Sequence, residues 1–130
     1  MPMAPLKILI SGAGIAGPAA AFWLSRLGHS CTVIERFPEL RTNGQQIDLR
    51  QQGVEAARRM GLLDEIRKHI VDEECTIIVD SQGRQQAEFG KQNHGTGEQG
   101  FTSEFEIMRE EISKILYKET RDGTKYRFGV

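Results

Sequence analysis

Residues 8–37 read ILISGAGIAGPAAAFWLSRLGHSCTVIERF, and this stretch decides the fold. Two short apolar runs, Leu6–Ser11 and Cys31–Glu35, flank a segment of helical composition from Ile15 to Leu27. Runs of that kind suit buried strands of a parallel sheet. Gly12, Gly14 and Gly17 stand between the first run and the body of the helix. Gly28 follows it at the position where left-handed backbone ends a helix. Strand, glycine turn, helix and strand make a βαβ unit, which pairs its strands in parallel through a right-handed crossover.

The spacing Gly12-x-Gly14-x-x-Gly17 has a physical reading. The first glycine lets the chain turn sharply out of the strand. The second leaves the backbone bare, so a pyrophosphate can approach it. The third lets the helix pack close to the sheet. Ile15 and Ala16 open the helix, whose N-terminus offers unpaired N–H groups and the positive end of a dipole. Glu35 closes the second strand 23 residues after Gly12. A carboxylate there can accept hydrogen bonds from a ribose diol, and it repels a 2′-phosphate. The residues point to an adenine dinucleotide and leave FAD and NAD both open.

The rest of the chain changes period. Arg36–Gln45 is a polar loop, Gln46–Arg50 a short strand, and Gln52–Met60 and Leu63–Ile70 two helical segments. Cys75–Asp80 and Arg84–Phe89 flank Ser-Gln-Gly as a hairpin. Gly90–Gly100 reads as a surface loop and Phe105–Met108 as an extended piece. Arg109–Thr120 places Ile112, Ile115 and Leu116 on one helical face, and Lys125–Val130 reads as a strand. Asp122-Gly123, between helix and strand, is a plain turn.

Composition excludes several classes. The 130 residues carry a net charge of -1 with both signs interspersed, so there is no basic footprint for nucleic acid. The apolar segment Leu6–Leu27 contains Lys7, Arg26, three glycines and Pro18, which argues against a membrane span. Two cysteines, Cys31 and Cys75, make no disulfide framework, and a reducing cytoplasmic setting is expected. His29, His69 and His94 are widely separated and do not suggest a metal site.

The glycine pattern, with Ala21, Gly28 and Glu35-Arg36 after it, resembles the FAD fingerprint of flavoproteins. The stretches IAGPAAAFWLSRLGH, LRTNGQQIDLR, RRMGLLDEIR and SEFEIMREEISKIL extend the likeness. Together they resemble the N-terminal part of class A flavoprotein monooxygenases, the para-hydroxybenzoate-hydroxylase-like enzymes. The resemblance runs from about Leu6 to Val130. It implies an α/β, Rossmann-like FAD-binding fold with an antiparallel hairpin from the substrate-domain sheet, incomplete relative to the family. It divides the chain into residues 1–72 (FAD-binding domain, first segment), 73–104 (hairpin and loop of the substrate-domain sheet) and 105–130 (return to the FAD-binding domain).

By that resemblance Gly12, Gly14 and Gly17 hold the pyrophosphate, Glu35 the adenosine ribose, and Arg36 lies over the adenine. Arg41 and the Gly44-Gln45 turn sit near pyrophosphate and flavin, and Arg109 reaches FAD from the start of its helix. The implied reaction is hydroxylation or epoxidation of an aromatic or polyketide-like small molecule, with O2 and NAD(P)H as reductant. The chain departs from the family where Glu110 and Glu111 follow Arg109 in place of Gly-Asp, which is expected to alter the local turn. The family's later Asp-Gly and Gly-Asp cofactor motifs are not found in these 130 residues. The chain alone is therefore expected not to hydroxylate, and to self-associate through an open sheet edge. The competing readings are a non-catalytic dinucleotide-binding module and part of an NAD-dependent oxidoreductase.

Overall fold

A computed structural model describes residues 4–72, 74–90 and 104–130. Of the expected loop Gly90–Gly100, Gly90 instead ends a strand, and the rest, with His94, lies outside the described residues. The chain divides into two units, residues 1–44 with 109–130, and residues 45–108.

The first unit is built on a parallel sheet of β1 (Lys7–Ser11), β2 (Ser30–Glu35) and β7 (Thr124–Phe128), in the order β1-β2-β7. The register pairs Ile8 with Cys31 and Ile10 with Val33, then Val33 with Tyr126 and Glu35 with Phe128. Between β1 and β2 runs α1 (Ala16–Arg26), and α4 (Arg109–Thr120) leads into β7. Ala13, Ala21, Cys31 and Val33 form the buried centre, with Ile8, Ile10, Leu24, Leu40, Tyr126 and Phe128 packed against it. The expected apolar face of α4 is buried at Ile112, Ile115 and Leu116. Its Tyr117 ring meets Tyr126 edge-on at 4.8 Å, and Thr120 shares a 2.6 Å hydrogen bond with the Tyr126 hydroxyl.

The end of α1 follows from its sequence. Gly28 adopts φ +86°, its amide donates to Ser25, and the His29 amide donates to Leu24. That pair of bonds satisfies carbonyls the helix would otherwise leave bare. The first strand differs from its reading as a buried run. Ile8 and Ile10 face the core, while Lys7, Leu9 and Ser11 are exposed, Leu9 at 67%. The reason is that helices cover one face of this sheet. On the other face Lys7, Leu9, Thr32, Ile34, Lys125 and Arg127 line an open depression.

The second unit contains β3 (Gln46–Asp48), α2 (Gln51–Arg59), α3 (Leu63–Arg67), β4 (Cys75–Val79), β5 (Gln85–Gly90) and β6 (Glu106–Met108). β3 pairs antiparallel with β6, and β4 with β5. The hairpin turn is organised by Asp80, whose carboxylate accepts the amides of Gln82 and Arg84. The helix expected to reach Ile70 stops at Arg67. Its last amides, Lys68 and His69, bond three residues back, and Ile70 instead bridges to Ile107 beside β6. Phe105 and Ile107 are fully buried, as local apolar patterning alone would not have singled out.

Candidate functional site

β1 delivers the chain to Gly12, which turns at φ +105° and donates its amide to Ile34 at 2.7 Å. That conformation is open to glycine and strained for other residues. A Cβ on Gly17 would lie 1.9 Å from the Gly12 carbonyl oxygen and 3.3 Å from Ile10 Cγ2. No side chain fits there, so the first turn of α1 rests directly on the strand exit. Ile15 is the N-cap of α1 and no side chain caps it. The positive end of α1 is left for an external acceptor.

Glu35, at the end of β2, ties this turn to the next loop. Its Oε2 accepts the Ala13 amide at 2.8 Å and its Oε1 accepts the Phe37 amide at 3.1 Å. These amides, Ala13 first, hold the Glu35 carboxyl below the usual carboxylate range. An ionised carboxylate has about four acceptor positions, so acceptor capacity remains beyond these amides. The carboxylate is thus a structural pin of the glycine turn, a role that spacing alone did not reveal.

Arg109 opens α4, and its first turn is a regular helix despite Glu110 and Glu111, which both lie near Lys114. Arg109 itself has helical backbone, and the two acids suit a helix N-terminus. A Cβ on Gly44 would lie 2.9 Å from Arg109 Cβ and 3.1 Å from its Cδ. One on Gly14 would lie 3.4 Å from Arg109 Nη2. The Arg109 side chain therefore lies along Gly44 and reaches the glycine turn at Gly14. Gly44 is a bed for that stem. The Ser113 hydroxyl, one turn on, donates to the Arg109 carbonyl at 3.1 Å.

These pieces enclose a cavity of about 350 Å³. Gly12, Gly14, Glu35, Arg36, Arg41 and Arg109 line it, together with Ser11, Ile34, Phe37, Ser113 and Val130. Of the other residues expected at the site, Ile15, Ala16 and Gly17 form the start of α1, and Gln45 belongs to the second unit. Phe37 and Val130 were not expected. Their signal lies in pairing beyond β7: the Gly129 amide donates to the Phe37 carbonyl at 2.8 Å and the Val130 amide to the Glu35 carbonyl at 3.2 Å. Ser113 was legible only as a small polar residue one helical turn after Arg109.

The electrostatics of the cavity are unbalanced. Among the described residues, no carboxylate forms an ion pair with Arg36, Arg41 or Arg109. Seven other arginines of the chain do have such partners. Arg109 also stands at a helix N-terminus, where a cation opposes the dipole by a few tenths to about 1 kcal/mol. An anion bound here would relieve both conditions. Among the described residues no group of three or more His, Cys, Asp or Glu is placed to hold a metal ion. No helix among them is long and apolar enough to cross a membrane.

A parallel βαβ unit whose glycine turn, strand-end carboxylate and unpaired guanidiniums line one cavity defines a dinucleotide-binding α/β domain. The chain belongs to the FAD binding domain family, whose model matches residues 5–130. It is 48% identical over 128 residues to the FAD-dependent monooxygenase asL4 of Sarocladium schorii, covering 98% of this chain and 30% of that protein. It is 47% identical over 128 residues to the flavin-dependent monooxygenase eupH of a Phoma species, covering 97% of this chain and 30% of that protein. The crystal structure of tetracycline destructase Tet(51) matches with a TM-score of 0.73 at 30% identity, over 99% of this chain and 31% of that one. The kinship with flavoprotein monooxygenases expected from the sequence therefore holds. The chain spans about 30% of the length of the relatives it matches.

Proposed function

We propose that this chain binds the adenosine diphosphate half of FAD, as the cofactor-binding part of an NAD(P)H-dependent monooxygenase that acts on an aromatic or polyketide-like small molecule. The observation that carries the reading is the set of three guanidiniums around the glycine turn, Arg36, Arg41 and Arg109, that form no ion pair among the described residues. A dinucleotide supplies the anion they lack. Gly12, Gly14 and Gly17, with Ile15 and Ala16 at the head of α1, bring backbone amides to the pyrophosphate. Arg109, bedded on Gly44, and Arg41 add charge-assisted donors. Glu35 takes the ribose through its remaining acceptor capacity and disfavours a 2′-phosphate there. Gln45 continues the loop from Gly44. A cavity of about 350 Å³ is at the small end of ligand sites, which suits half of FAD better than the whole.

FAD, once reduced by the nicotinamide cofactor, supplies activation of dioxygen for transfer of one oxygen atom to the substrate. What this chain contributes is binding and orientation of the cofactor's adenosine end. The named relatives are monooxygenases, which supports this assignment over an NAD-dependent oxidoreductase.

Calorimetric titration of the purified chain with FAD and with NAD tests the reading. FAD is expected to bind more tightly, and tighter NAD binding overturns the assignment. With FAD, NADPH and a panel of phenols and polyketides, the chain alone is expected to give no stoichiometric hydroxylated product. Such product would mean that these residues complete the catalytic site.

A further inference from the structure

Ser113, Thr120 and Thr124 are the buried polar residues among those described. Thr120 and Thr124 each share a hydrogen bond with another hydroxyl, Thr120 with Tyr126 at 2.6 Å and Thr124 with Ser25 at 3.3 Å. Ser113 differs from both. It is 2% exposed, it lines the glycine-turn cavity, and its hydroxyl donates to the Arg109 main chain at 3.1 Å.

Ser113 stands four residues after Arg109, so the two share one face of α4. Helical side chains lean toward the N-terminus, which lays Ser113 over the turn that Arg109 opens. Arg109 is the first residue of α4, and helix ends fray. Its carbonyl takes the Ser113 hydroxyl at a residue almost shut off from water, where a hydrogen bond is electrostatically stronger than in solvent. Along its stem Arg109 lies against Gly44, where a Cβ would come within 2.9 Å of Arg109 Cβ. The arginine is therefore held twice, at its main chain by Ser113 and along its stem by Gly44, and its guanidinium arrives beside Gly14. An arginine ordered in advance loses less rotamer freedom when an anion binds.

We propose that Ser113 is a positioning residue for the cofactor site: its hydroxyl anchors the first turn of α4 and keeps the Arg109 guanidinium aimed at the glycine turn. The inference rests on the cofactor reading above and concerns a residue that acts through Arg109 rather than on the cofactor. The geometry sets two requirements at this position. The side chain must donate to a carbonyl one turn back. It must also be small, because a longer one leaning over the same turn would enter the cavity.

The test is calorimetric titration of the full 130-residue chain with FAD. Ser113→Ala is expected to weaken binding by about twofold to tenfold, the scale of one neutral hydrogen bond. Ser113→Thr, whose hydroxyl can reach the same carbonyl, should restore wild-type affinity. Ser113→Val has the shape of threonine without its hydroxyl. Compared with Ser113→Thr it should show the same loss, and it serves if the alanine variant does not fold. In an Arg109→Ala background, Ser113→Ala should have no further effect, since the guanidinium it positions is gone. Urea midpoints of the same variants report stability separately. Unchanged FAD affinity without the hydroxyl, with or without a lowered midpoint, overturns the positioning role and leaves the cofactor reading intact. An equal loss of affinity with and without Arg109 overturns it as well. Failure of wild type to bind FAD removes the cofactor reading and the positioning role with it.

Discussion

The two units handle charge in opposite ways. In the second unit every arginine has a carboxylate close by: Arg50 with Asp48, Arg58 and Arg59 with Glu55, Arg67 with Asp64, and Arg84 with Asp80. In the first unit Arg26 and Arg121 are paired, while Arg36, Arg41, Arg109 and Arg127 form no ion pair among the described residues. Three of those four line the glycine-turn cavity. Paired arginines on exposed helices are ordinary solvated surface and contribute little. Three guanidiniums gathered around a single carboxylate, Glu35, have an electrostatic cost, which a bound anion would reduce. Pairing, more than the number of charges, separates surface from site.

Substitutions that add bulk should separate the units most strongly. Gly17→Ala drives a Cβ into the Gly12 carbonyl and is expected to destabilise by on the order of 3 kcal/mol or more. Gly90→Ala meets nothing within 4 Å and should change stability by less than about 0.5 kcal/mol. Urea denaturation of both variants makes the comparison. Equal effects would mean that the turn relaxes freely, against the tight packing described for α1.

Loss of one guanidinium comes next. Arg109→Ala should reduce FAD affinity by about tenfold to a hundredfold, the scale of a charge-assisted hydrogen bond. Arg58→Ala, in the second unit, should leave FAD affinity unchanged. If both variants bind FAD like wild type, pairing does not distinguish the two units functionally.

Glu35 gives a smaller effect with a definite sign. Its folded pKa lies below the ordinary 4.5, so the folded chain holds fewer protons than the unfolded one. The resulting stabilisation is complete above the ordinary value and is lost as pH falls through the folded value. Urea midpoints of wild type and Glu35→Gln should differ by a constant amount above about pH 5 and converge below it. A gap that persists at lower pH would assign the effect to hydrogen bonding without charge.

The smallest effect is expected from the surface pairs. Arg59→Ala breaks its contact with Glu55 and should lower stability only slightly, and less in high salt. A larger, salt-independent loss would show that second-unit pairs are structural rather than solvated.

The sequence by itself determined the βαβ unit, the glycine turn, the end of α1 and the family. Each depends on local signals: Gly12 and Gly28 sit where left-handed backbone is needed, and Glu35 falls at a fixed spacing from the turn. It also marked Arg36, Arg41 and Arg109 as candidates, though without their surroundings. Only the tertiary structure decided that β7 lies beside β2, which closes the cavity with Val130 and fixes Phe37. It likewise decided that Arg109 lies along Gly44 to reach Gly14, 95 positions earlier in the chain, and that Leu9 faces outward. Dihedral preference and hydrophobic period act over a few residues, so they specify turns and elements. Which distant element completes a cavity, and which face of a strand is covered, is set by the packing of chain segments far apart in sequence.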